Sequence, residues 1–428
     1  MLKRVLRSPV SCVLLAVTSL AAEKGQAPQK VVGKTVYELS DGVVRPSHWK
    51  GAEEAWLPMI VNSSHAATLV ELPNRDLLCF WYAGIYERGS GVSIVISRLD
   101  HGSKRWTRPE VVSYNPDWAN QNPVAFLAPD GRVWLFHTTQ EGGHDQTKDL
   151  VFALVSEDRG HTWSQPTTLF PNRGLYLRQP PIVFHGDWLF PVYHSAGGSI
   201  TSNAQKDHSY VEVSKDQGKT WTECDVPDSG GEVQMSIVKA SDDSLLGFFR
   251  SRFADWIYQS ESTDGCHWTS PHPTSLPNNN ASIQATRLQN GHLVMIFNNA
   301  QATKERGKAQ TAARRILSVA LSTDDGKTWP WVRDLEDKQS PPAILPLEDP
   351  EYSYPAIVQS KDGKLRAAYT FRRETIKYMT FNEDWIKHGS TQGGNPDDIK
   401  PEGVASLQPN SKSITGKPAT SSREQLGF

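Results

Sequence analysis

The sequence predicts an all-β fold, a six-bladed β-propeller, from two patterns that repeat along its 428 residues. The first is a short box in which serine, aspartate, glycine and tryptophan return in nearly the same frame. The second is an apolar run, a turn and another apolar run, which is typical of a β-hairpin. Copies of the box return at roughly 50 to 60 residues, which is the period of a four-stranded blade and not of a helical solenoid.

The box, called the Asp box below, is expected to form a tight turn. Its aspartate and hydroxyl groups can bond backbone amides, its glycine permits positive φ, and its tryptophan fills the space between neighbouring units. The four full copies are Ser156–Trp163, Ser214–Trp221, Ser262–Trp268 and Ser322–Trp329, and a degenerate fifth copy consists of Ser97, Asp100, Gly102 and Trp106.

The hairpin pattern gives the number of blades. Six hairpin segments begin at His65, Asn122, Gln179, Gln234, Ser282 and Tyr354. Three of them carry turn residues typical of hairpins, at Gly131, Asn290-Gly291 and Gly363. We therefore predict six blades between residues 46 and 387.

The chain ends are expected to lie outside the propeller. Lys3, Arg4 and Arg7 precede an apolar run that ends before Ala21 and Ala22, so residues 1–22 are predicted to be a signal peptide of a secreted or periplasmic protein. A transit peptide or an uncleaved anchor is the alternative, but the run is too short to span a bilayer. Residues 23–45 are predicted to be a linker in which Val36–Leu39 supplies a ring-closing strand. Residues 388–428 are predicted to be a disordered polar tail.

Composition excludes several classes of function. The net charge of -2 and the pI near 6.7 give no electrostatic reason to expect nucleic acid or an anionic membrane as a partner. After signal cleavage the cysteines are Cys79, Cys224 and Cys266, an odd number without framework spacing, so we expect buried thiols and no disulfide. No zinc-type motif is present, and we predict neither a metal nor a cofactor. The sequence does not determine the oligomeric state.

Polar residues at the starts of the hairpins predict a binding site on the propeller axis. Superposition of the hairpins brings together His65, Asn122, Gln179, Gln234, Ser282 or Gln284, and Tyr354. A ring of polar groups around a funnel is the shape expected of a sugar site. The alternative is that these side chains satisfy the backbone of nearby loops.

With the boxes and hairpins in place, the chain from about His65 to Trp385 resembles the sialidase superfamily, specifically its predicted bacterial-type neuraminidase branch with BNR/Asp-box repeats. The resemblance implies a glycan substrate, a cluster of arginines on the substrate carboxylate, and a tyrosine nucleophile assisted by a glutamate. The Asp boxes identify the fold and carry no information on the reaction.

The resemblance extends to individual residues in successive blades. Glu232 and Arg250 resemble the family's glutamate and second arginine, and Arg314 resembles the third, although Arg315 is its immediate neighbour. Tyr352 takes the place of the nucleophile, with Tyr354 as the second choice.

The chain departs from the family pattern at two positions. Ser63–Ala67 replaces the motif that holds the first arginine, so that His65 stands there instead. In the loop after the first hairpin, where the family places its acidic proton donor, the best available carboxylate is Glu87.

Three functions of different class remain open. The first is an exported, exo-acting, sialidase-like glycoside hydrolase on terminal acidic sugars, with Tyr352, Glu232, and Glu87 or His65 as catalytic residues. The second is a lyase or histidine-based glycosidase for uronate-containing glycans, in which His65 works with Tyr352 or His137. The third is a carbohydrate-binding propeller without catalysis.

Overall fold

A computed structural model describes residues 36–61, 63–141, 146–197, 203–336 and 350–389. The predicted signal peptide, residues 23–35 of the predicted linker and residues 390–428 of the predicted tail lie outside these residues. The described chain forms six antiparallel sheets and almost no helix, which confirms the predicted six-bladed β-propeller.

Each blade is an antiparallel sheet, and in blades 1, 2, 4 and 5 the first strand in chain order lies nearest the axis. Blade 6 also contains the first two strands of the chain, β1 (Arg45–Pro46) and β2 (Glu53–Trp56). Blade 1 contains β3 (Ser63–Glu71), β4 (Leu77–Gly84), β5 (Ser93–Leu99) and β6 (Glu110–Ser113), and blade 2 contains β7 (Trp118–Leu127), β8 (Val133–Glu141), β9 (Leu150–Ser156) and β10 (Thr167–Thr168). Blade 3 contains β11 (Leu175–Leu177), β12 (Ile182–Phe184), β13 (Asp187–His194), β14 (His208–Ser214) and β15 (Thr222–Asp225).

The remaining blades follow the same order. Blade 4 contains β16 (Glu232–Lys239), β17 (Leu245–Ser251), β18 (Trp256–Ser262) and β19 (His272–Pro277), and blade 5 contains β20 (Gln284–Arg287), β21 (Leu293–Asn298), β22 (Leu317–Ser322) and β23 (Trp331–Glu336). Blade 6 contains β24 (Tyr352–Gln359), β25 (Leu365–Phe371) and β26 (Thr375–Phe381). The helices are α1 (Val36–Leu39), α2 (Glu383–Lys387) and the 3₁₀ turns Gln146–Lys148 and Ala204–Lys206. Among the described residues no helix is long and apolar enough to cross a bilayer.

The Asp boxes form the predicted turns and join neighbouring blades. In the box of blade 2, Asp158 Oδ1 accepts hydrogen bonds from the backbone amides of His161 and Thr162 at 3.0 and 2.8 Å. Gly160 has a φ of 84°, and a Cβ atom there would approach Leu78 of blade 1 to 2.7 Å. Glycine is therefore required both for the turn and for the close contact between blades.

Tryptophans of two full boxes pack against the preceding blade, which fits the predicted filling of the space between neighbouring units. Trp163 of blade 2 meets Phe80 of blade 1 with a ring-centroid distance of 5.6 Å, and Trp329 of blade 5 meets Phe248 of blade 4 at 6.0 Å. The degenerate box behaves in the same way, since its Trp106 packs edge-on against Tyr378 of blade 6. The repeat therefore builds the contacts between blades as well as the turns within them.

The predicted ring-closing strand is wrong in position. Val36–Leu39 forms one turn of helix α1, in which Val36 and Leu39 are buried while the two residues between them are exposed. That i, i+3 spacing suits a helix, whereas a strand would bury alternate residues. The ring is closed instead by β2, which pairs antiparallel with β26 from Glu53↔Thr380 to Trp56↔Lys377.

The expectation of a fold without disulfides is contradicted. Cys224 in β15 of blade 3 is bonded to Cys266 in the Asp-box turn of blade 4, across 42 residues of sequence. Spacing along the chain gave no sign of this pair because adjacent blades bring the two residues together in space. Cys79 is a buried free thiol, and its burial alone raises its pKa.

Candidate active site

The inner strands of four blades carry a β-bulge at the same point near the axis. Register shifts occur at this point in β3, β7, β16 and β24. A non-glycine residue with positive φ lies in each bulge, namely Ala66, Asn122, Gln234 and Tyr354, with φ values of 60°, 48°, 56° and 49°. Bulges redirect side chains, and strained backbone of this kind concentrates at functional sites. The bulges therefore mark the hub of the propeller as the candidate site.

The bulges also correct the predicted superposition of the hairpins. Asn122, Gln234 and Tyr354 are equivalent, as predicted, but their partner in blade 1 is Ala66 and not His65. The offset is one residue, from His65 to Ala66. It was missed because the residue in a bulge has no partner on the neighbouring strand, and its position depends on backbone conformation and not on residue type.

Tyr354 lies among three arginines at the hub. Its hydroxyl oxygen is 2.7 Å from Nη1 of Arg250. The guanidinium carbons of Arg178, Arg250 and Arg314 lie 5.5, 5.6 and 5.4 Å from the centre of its ring. Burial alone would raise the pKa of Tyr354, but the positive charges of Arg250 and Arg314 lower this pKa to about 7. This phenol is therefore partly ionised at neutral pH.

Tyr352, the predicted nucleophile, does not lie among these arginines. Its side chain is 2% exposed, belongs to the hydrophobic core cluster between blades 5 and 6, and contacts Phe371 at a ring-centroid distance of 5.2 Å. In a regular strand Tyr352 and Tyr354 would point to the same face. The bulge between Ser353 and Ala356 separates them, which contradicts the first choice and favours Tyr354.

Arg250 and Arg314 approach the hub from neighbouring blades. Arg250 is buried and donates from Nε to Asn280 Oδ1 at 2.8 Å and from Nη1 to Gln234 Oε1 at 3.1 Å. Arg314 donates from Nη1 to Glu351 at 2.8 Å and from Nη2 to the backbone oxygen of Asn280 at 3.3 Å. These contacts fix the orientation of both guanidinium groups around Tyr354, and they distinguish Arg314 from its neighbour in sequence.

Glu351 and Arg373 are hub residues that the sequence did not predict. Glu351 Oε1 accepts from Arg314, and Oε2 accepts from Nε of Arg373 at 2.7 Å. Burial would raise the pKa of Glu351, but Arg373 and Arg314 hold this pKa well below its usual value. The only signal for Glu351 in the sequence is its place next to the tyrosine motif.

Glu87 is an ionised partner of Arg373. Its Oε2 accepts from Nη1 of Arg373 at 2.7 Å. Desolvation would raise the pKa of Glu87, but the positive charge of Arg373, with a smaller contribution from Arg88, lowers this pKa to about 2. While it is paired with Arg373, this carboxyl group is ionised at neutral pH, which does not favour the predicted role of Glu87 as general acid.

His65 is a neutral side chain against the face of Tyr354. Its Nδ1 lies 2.7 Å from Thr370 Oγ1, and its ring centroid is 4.3 Å from that of Tyr354. Burial, with the charges of Arg373 and Arg314, holds the pKa of His65 well below its usual value. Its buried Nε2 has no hydrogen-bond partner among the described residues. A neutral imidazole with an unused nitrogen can accept or donate a single proton.

Glu232 lies in a separate group at the edge of the hub. Its carboxylate is buried and ion-paired through both oxygens with Arg306, which also stacks on Phe253 at 4.0 Å. Burial raises the pKa of Glu232, and the bonds from Arg306 oppose that increase. The described contacts join Glu232 to Arg306 and not to either tyrosine, which contradicts the expected glutamate–tyrosine pair.

Arg178 and Gln179 cross the axis and tie the blades together. Arg178 donates from Nη2 to the backbone oxygens of Ala67, Tyr354 and Pro355 at 3.0, 2.8 and 3.0 Å. Gln179 donates to the backbone oxygen of Ile283, so blade 3 is joined to blades 1, 5 and 6. For Gln179 the structure supports the backbone-satisfying alternative and not the predicted contact with substrate. Sequence reasoning missed Arg178, although it directly precedes Gln179.

Two further candidates are also tied to structural partners. Gln284 Oε1 accepts from the backbone amide of Ile357 at 2.9 Å. His137 is buried against Ser113 and Phe152, and burial lowers its pKa to about 4. These contacts join His137 to Ser113 and Phe152 and not to His65, so they give no support to the alternative in which His65 works with His137. In the described parts of the chain, no three His, Cys, Asp or Glu side chains are grouped as metal ligands.

The chain resembles a known protein family and several solved structures. A family model described as a BNR repeat-like domain matches residues 75–367. Among solved structures, the chain is similar to a Hadza microbial sialidase, with a TM-score of 0.61, 16% identity, and coverage of 76% of this chain and 66% of that one. The chain thus spans about two thirds of the length of that sialidase.

Two other solved structures are similar to the same extent. A leech intramolecular trans-sialidase, solved with 2,7-anhydro-Neu5Ac, has a TM-score of 0.59 at 13% identity, with 76% of this chain and 69% of that one covered. A protein of unknown function from Dyadobacter fermentans has a TM-score of 0.60 at 14% identity, with 77% and 99% covered. No curated protein sequence matches the chain. At these identities the likeness shows the fold alone.

Proposed function

Because the chain belongs to the BNR repeat-like domain family, which is of sialidase type, we propose that it is an exported glycosidase that removes a terminal, carboxylate-bearing sugar from a glycan. Tyr354 is the nucleophile in this proposal. The observation that carries it is the position of the Tyr354 hydroxyl, 2.7 Å from Arg250 and within a group of three guanidinium groups.

Tyrosine suits an anionic sugar better than a carboxylate does. A carboxylate nucleophile is fully charged at neutral pH and would be repelled by the carboxylate on the reacting carbon, whereas Tyr354, with a pKa of about 7, remains partly neutral. In other sialidase-type enzymes a glutamate takes the proton of the tyrosine. Here Arg250 and Arg314 lower the pKa of Tyr354 themselves, so the phenolate forms without a partner base.

Arg250 and Arg314 also bind the substrate carboxylate in this proposal. A planar guanidinium group matches the two oxygens of a carboxylate, and both groups are already oriented by Asn280, Gln234 and Glu351. Preoriented donors bind a developing charge without reorganisation cost. The phenolate of Tyr354 would then attack the facing sugar carbon as the glycosidic C–O bond breaks, and the departing glycan oxygen would take a proton from water. Water would next hydrolyse the bond between the sugar and Tyr354 and release the free sugar.

Export is supported by two independent features. The first is the predicted signal peptide at residues 1–22. The second is the disulfide between Cys224 and Cys266, since disulfides persist in oxidising compartments and are rare in the cytosol.

The decisive experiment is a hydrolysis assay on sialosides with two matched tyrosine variants. Tyr354→Phe is expected to lower kcat by roughly a thousandfold or more, because the nucleophile is lost. Tyr352→Phe, a change of the same size in the buried core, is expected to retain turnover within a fewfold. Equal activities of the two variants would contradict the assignment, and mass analysis of a trapped glycosyl-enzyme would identify the modified tyrosine.

A second function is favoured by the contact between His65 and Tyr354. In a β-elimination that cleaves a glycan at a uronate, the unused Nε2 of His65 could act as the base and the phenol of Tyr354 as the acid. The arginines would neutralise the carboxylate of the uronate. This reaction would give an unsaturated product that absorbs ultraviolet light, and His65→Ala would abolish it. A panel of sialosides and uronate polymers distinguishes the two reactions. Binding without turnover across the panel would leave only a carbohydrate-binding propeller.

A further inference from the structure

The turn between β25 and β26 holds two adjacent arginines in a strained conformation. Arg372 and Arg373 have φ values of 59° and 62°, in the left-handed region that non-glycine residues seldom adopt. The turn is held in place by the backbone bond from Ser64 to Arg373 at 2.8 Å and by that from Arg372 to Glu351 at 2.6 Å. Strain that persists because its surroundings fix it is common where a side chain must be presented to a ligand.

The strained turn presents Arg373 to two carboxylates of different kinds. Glu351 is only 8% exposed, and it is bonded to Arg373, Arg314 and Ser353. Glu87 is 40% exposed and reaches Nη1 of Arg373 from the loop between β4 and β5. Glu351 is therefore a fixed part of the hub, whereas Glu87 occupies a position on Arg373 that faces solvent.

The two carboxylates differ in how easily they can leave Arg373. Removing Glu351 would leave two buried guanidinium groups without their counter-ion, which is strongly unfavourable. Removing Glu87 returns an exposed carboxylate to water, where its charge is well solvated, and an exposed ion pair contributes little to stability.

We propose that Nη1 of Arg373 is the first binding position for the carboxylate of the substrate, and that Glu87 holds this position until the substrate displaces it. The inference rests on the proposed function in so far as the ligand is an acidic sugar. Exchange of one carboxylate for another keeps Arg373 paired. A neutral sugar that displaced Glu87 would leave Arg373 without a carboxylate at this position, so Glu87 also selects against neutral sugars.

Binding titrations on the full chain test this exchange with acidic sugars and with a neutral sugar as the counterpart. Glucuronic acid and N-acetylneuraminic acid are the acidic probes, and glucuronamide is the neutral counterpart. Arg373→Gln is expected to weaken binding of the acidic probes by roughly ten- to a hundredfold, the loss expected of a charge-assisted hydrogen bond. Glu87→Gln is expected to strengthen their binding by up to roughly fivefold, because the competing carboxylate is gone.

Asp130→Asn and Arg132→Gln provide matched controls, because these residues form an exposed ion pair on a hairpin turn of blade 2. Both are expected to bind the probes as wild type does. Weaker binding in Glu87→Gln would overturn the exchange, since Glu87 would then be positioning Arg373. If Arg373→Gln does not fold, the exposed Glu87→Gln variant still decides. Failure of the wild type to bind either acidic probe would overturn the proposed function as well.

Discussion

At the scale of single residues, the chemistry depends on which of two tyrosines reaches the hub. Tyr352 and Tyr354 stand two positions apart in one strand, and only the second has the positive φ that directs it toward Arg250. The same bulge geometry places Gln234 beside Arg250 in blade 4. The positions of side chains in this hub are therefore determined by local backbone strain as well as by residue type.

The pKa of Tyr354 predicts a titration that can be observed directly. One of the 12 tyrosines should ionise near pH 7, and the ultraviolet absorbance of tyrosinate at that pH should be absent from Tyr354→Phe. Hydrolysis should rise with pH through the same range, because the phenolate is the reactive form. A tyrosinate signal that begins only near pH 10 in the wild type would contradict the role of the arginines.

The same shift links pH to stability. The folded pKa lies below the value of about 10 in an unfolded chain, so ionisation of Tyr354 stabilises the folded state fully only above pH 10. This contribution falls as the pH is lowered and is lost below about pH 7. The difference in unfolding free energy between wild type and Tyr354→Phe should therefore grow from pH 7 to pH 10.

At the scale of elements, each Asp box acts between blades. Gly160 meets Leu78, and Trp163 meets Phe80, so the turn of one blade completes the core of the preceding blade. The disulfide repeats this arrangement with a covalent bond, because it joins the outer strand of blade 3 to the box turn of blade 4. Contacts of this kind fix the angle between blades and thereby the width of the hub.

The disulfide gives a prediction for this junction. Cys224→Ser with Cys266→Ser should lower the free energy of unfolding by about 2–4 kcal/mol, because the bond closes a long loop in the unfolded chain. Urea unfolding with and without a reducing agent measures the change. Cys79→Ser, at the buried free thiol, is the control, and its unfolding should remain sensitive to the reducing agent. Equal stability of wild type and the double variant would show that the bond contributes nothing.

At the scale of the whole molecule, closure of the ring depends on a buried cluster of charges. Lys377 of β26 is buried and paired with Glu336 of β23 and with Glu54 of the closing strand β2, the latter at 3.1 Å. Tyr369 also donates to Glu336. One ammonium group thus joins blade 5, blade 6 and the strand from the N-terminal side.

Loss of this ammonium group should destabilise the closure of the ring between β2 and β26. Lys377→Ala leaves Glu336 and Glu54 buried without their counter-ion, and should lower the free energy of unfolding by about 3–5 kcal/mol. Lys104→Ala removes the exposed pair with the neighbouring Glu53, where the lysine side chain is 67% exposed, and should cost at most about 1 kcal/mol. Denaturant unfolding of both variants measures the difference, and equal losses would contradict the role of the cluster in closure.

Most of the fold could be predicted from the sequence because it is repeated. Six hairpin patterns recur, three of them with typical turn residues, and four full boxes accompany them, so local patterns were enough for the blade count. The wrong prediction of a ring-closing strand concerns a segment that is not repeated in the chain. Val36–Leu39 has no equivalent elsewhere in the chain, and one helical turn with two buried residues looks much like a short strand at the level of composition.

The sequence by itself determined the architecture and the kinds of side chain at the hub, since candidate arginine, tyrosine and glutamate residues recur in successive blades. Only the tertiary structure decided which of them meet. It brought Arg178 to Tyr354, paired Glu351 with Arg314 and Arg373, directed Glu232 to Arg306, and joined Cys224 to Cys266. The physical reason is that strand periodicity acts locally, whereas bulges and neighbouring blades bring together residues that are far apart in the chain.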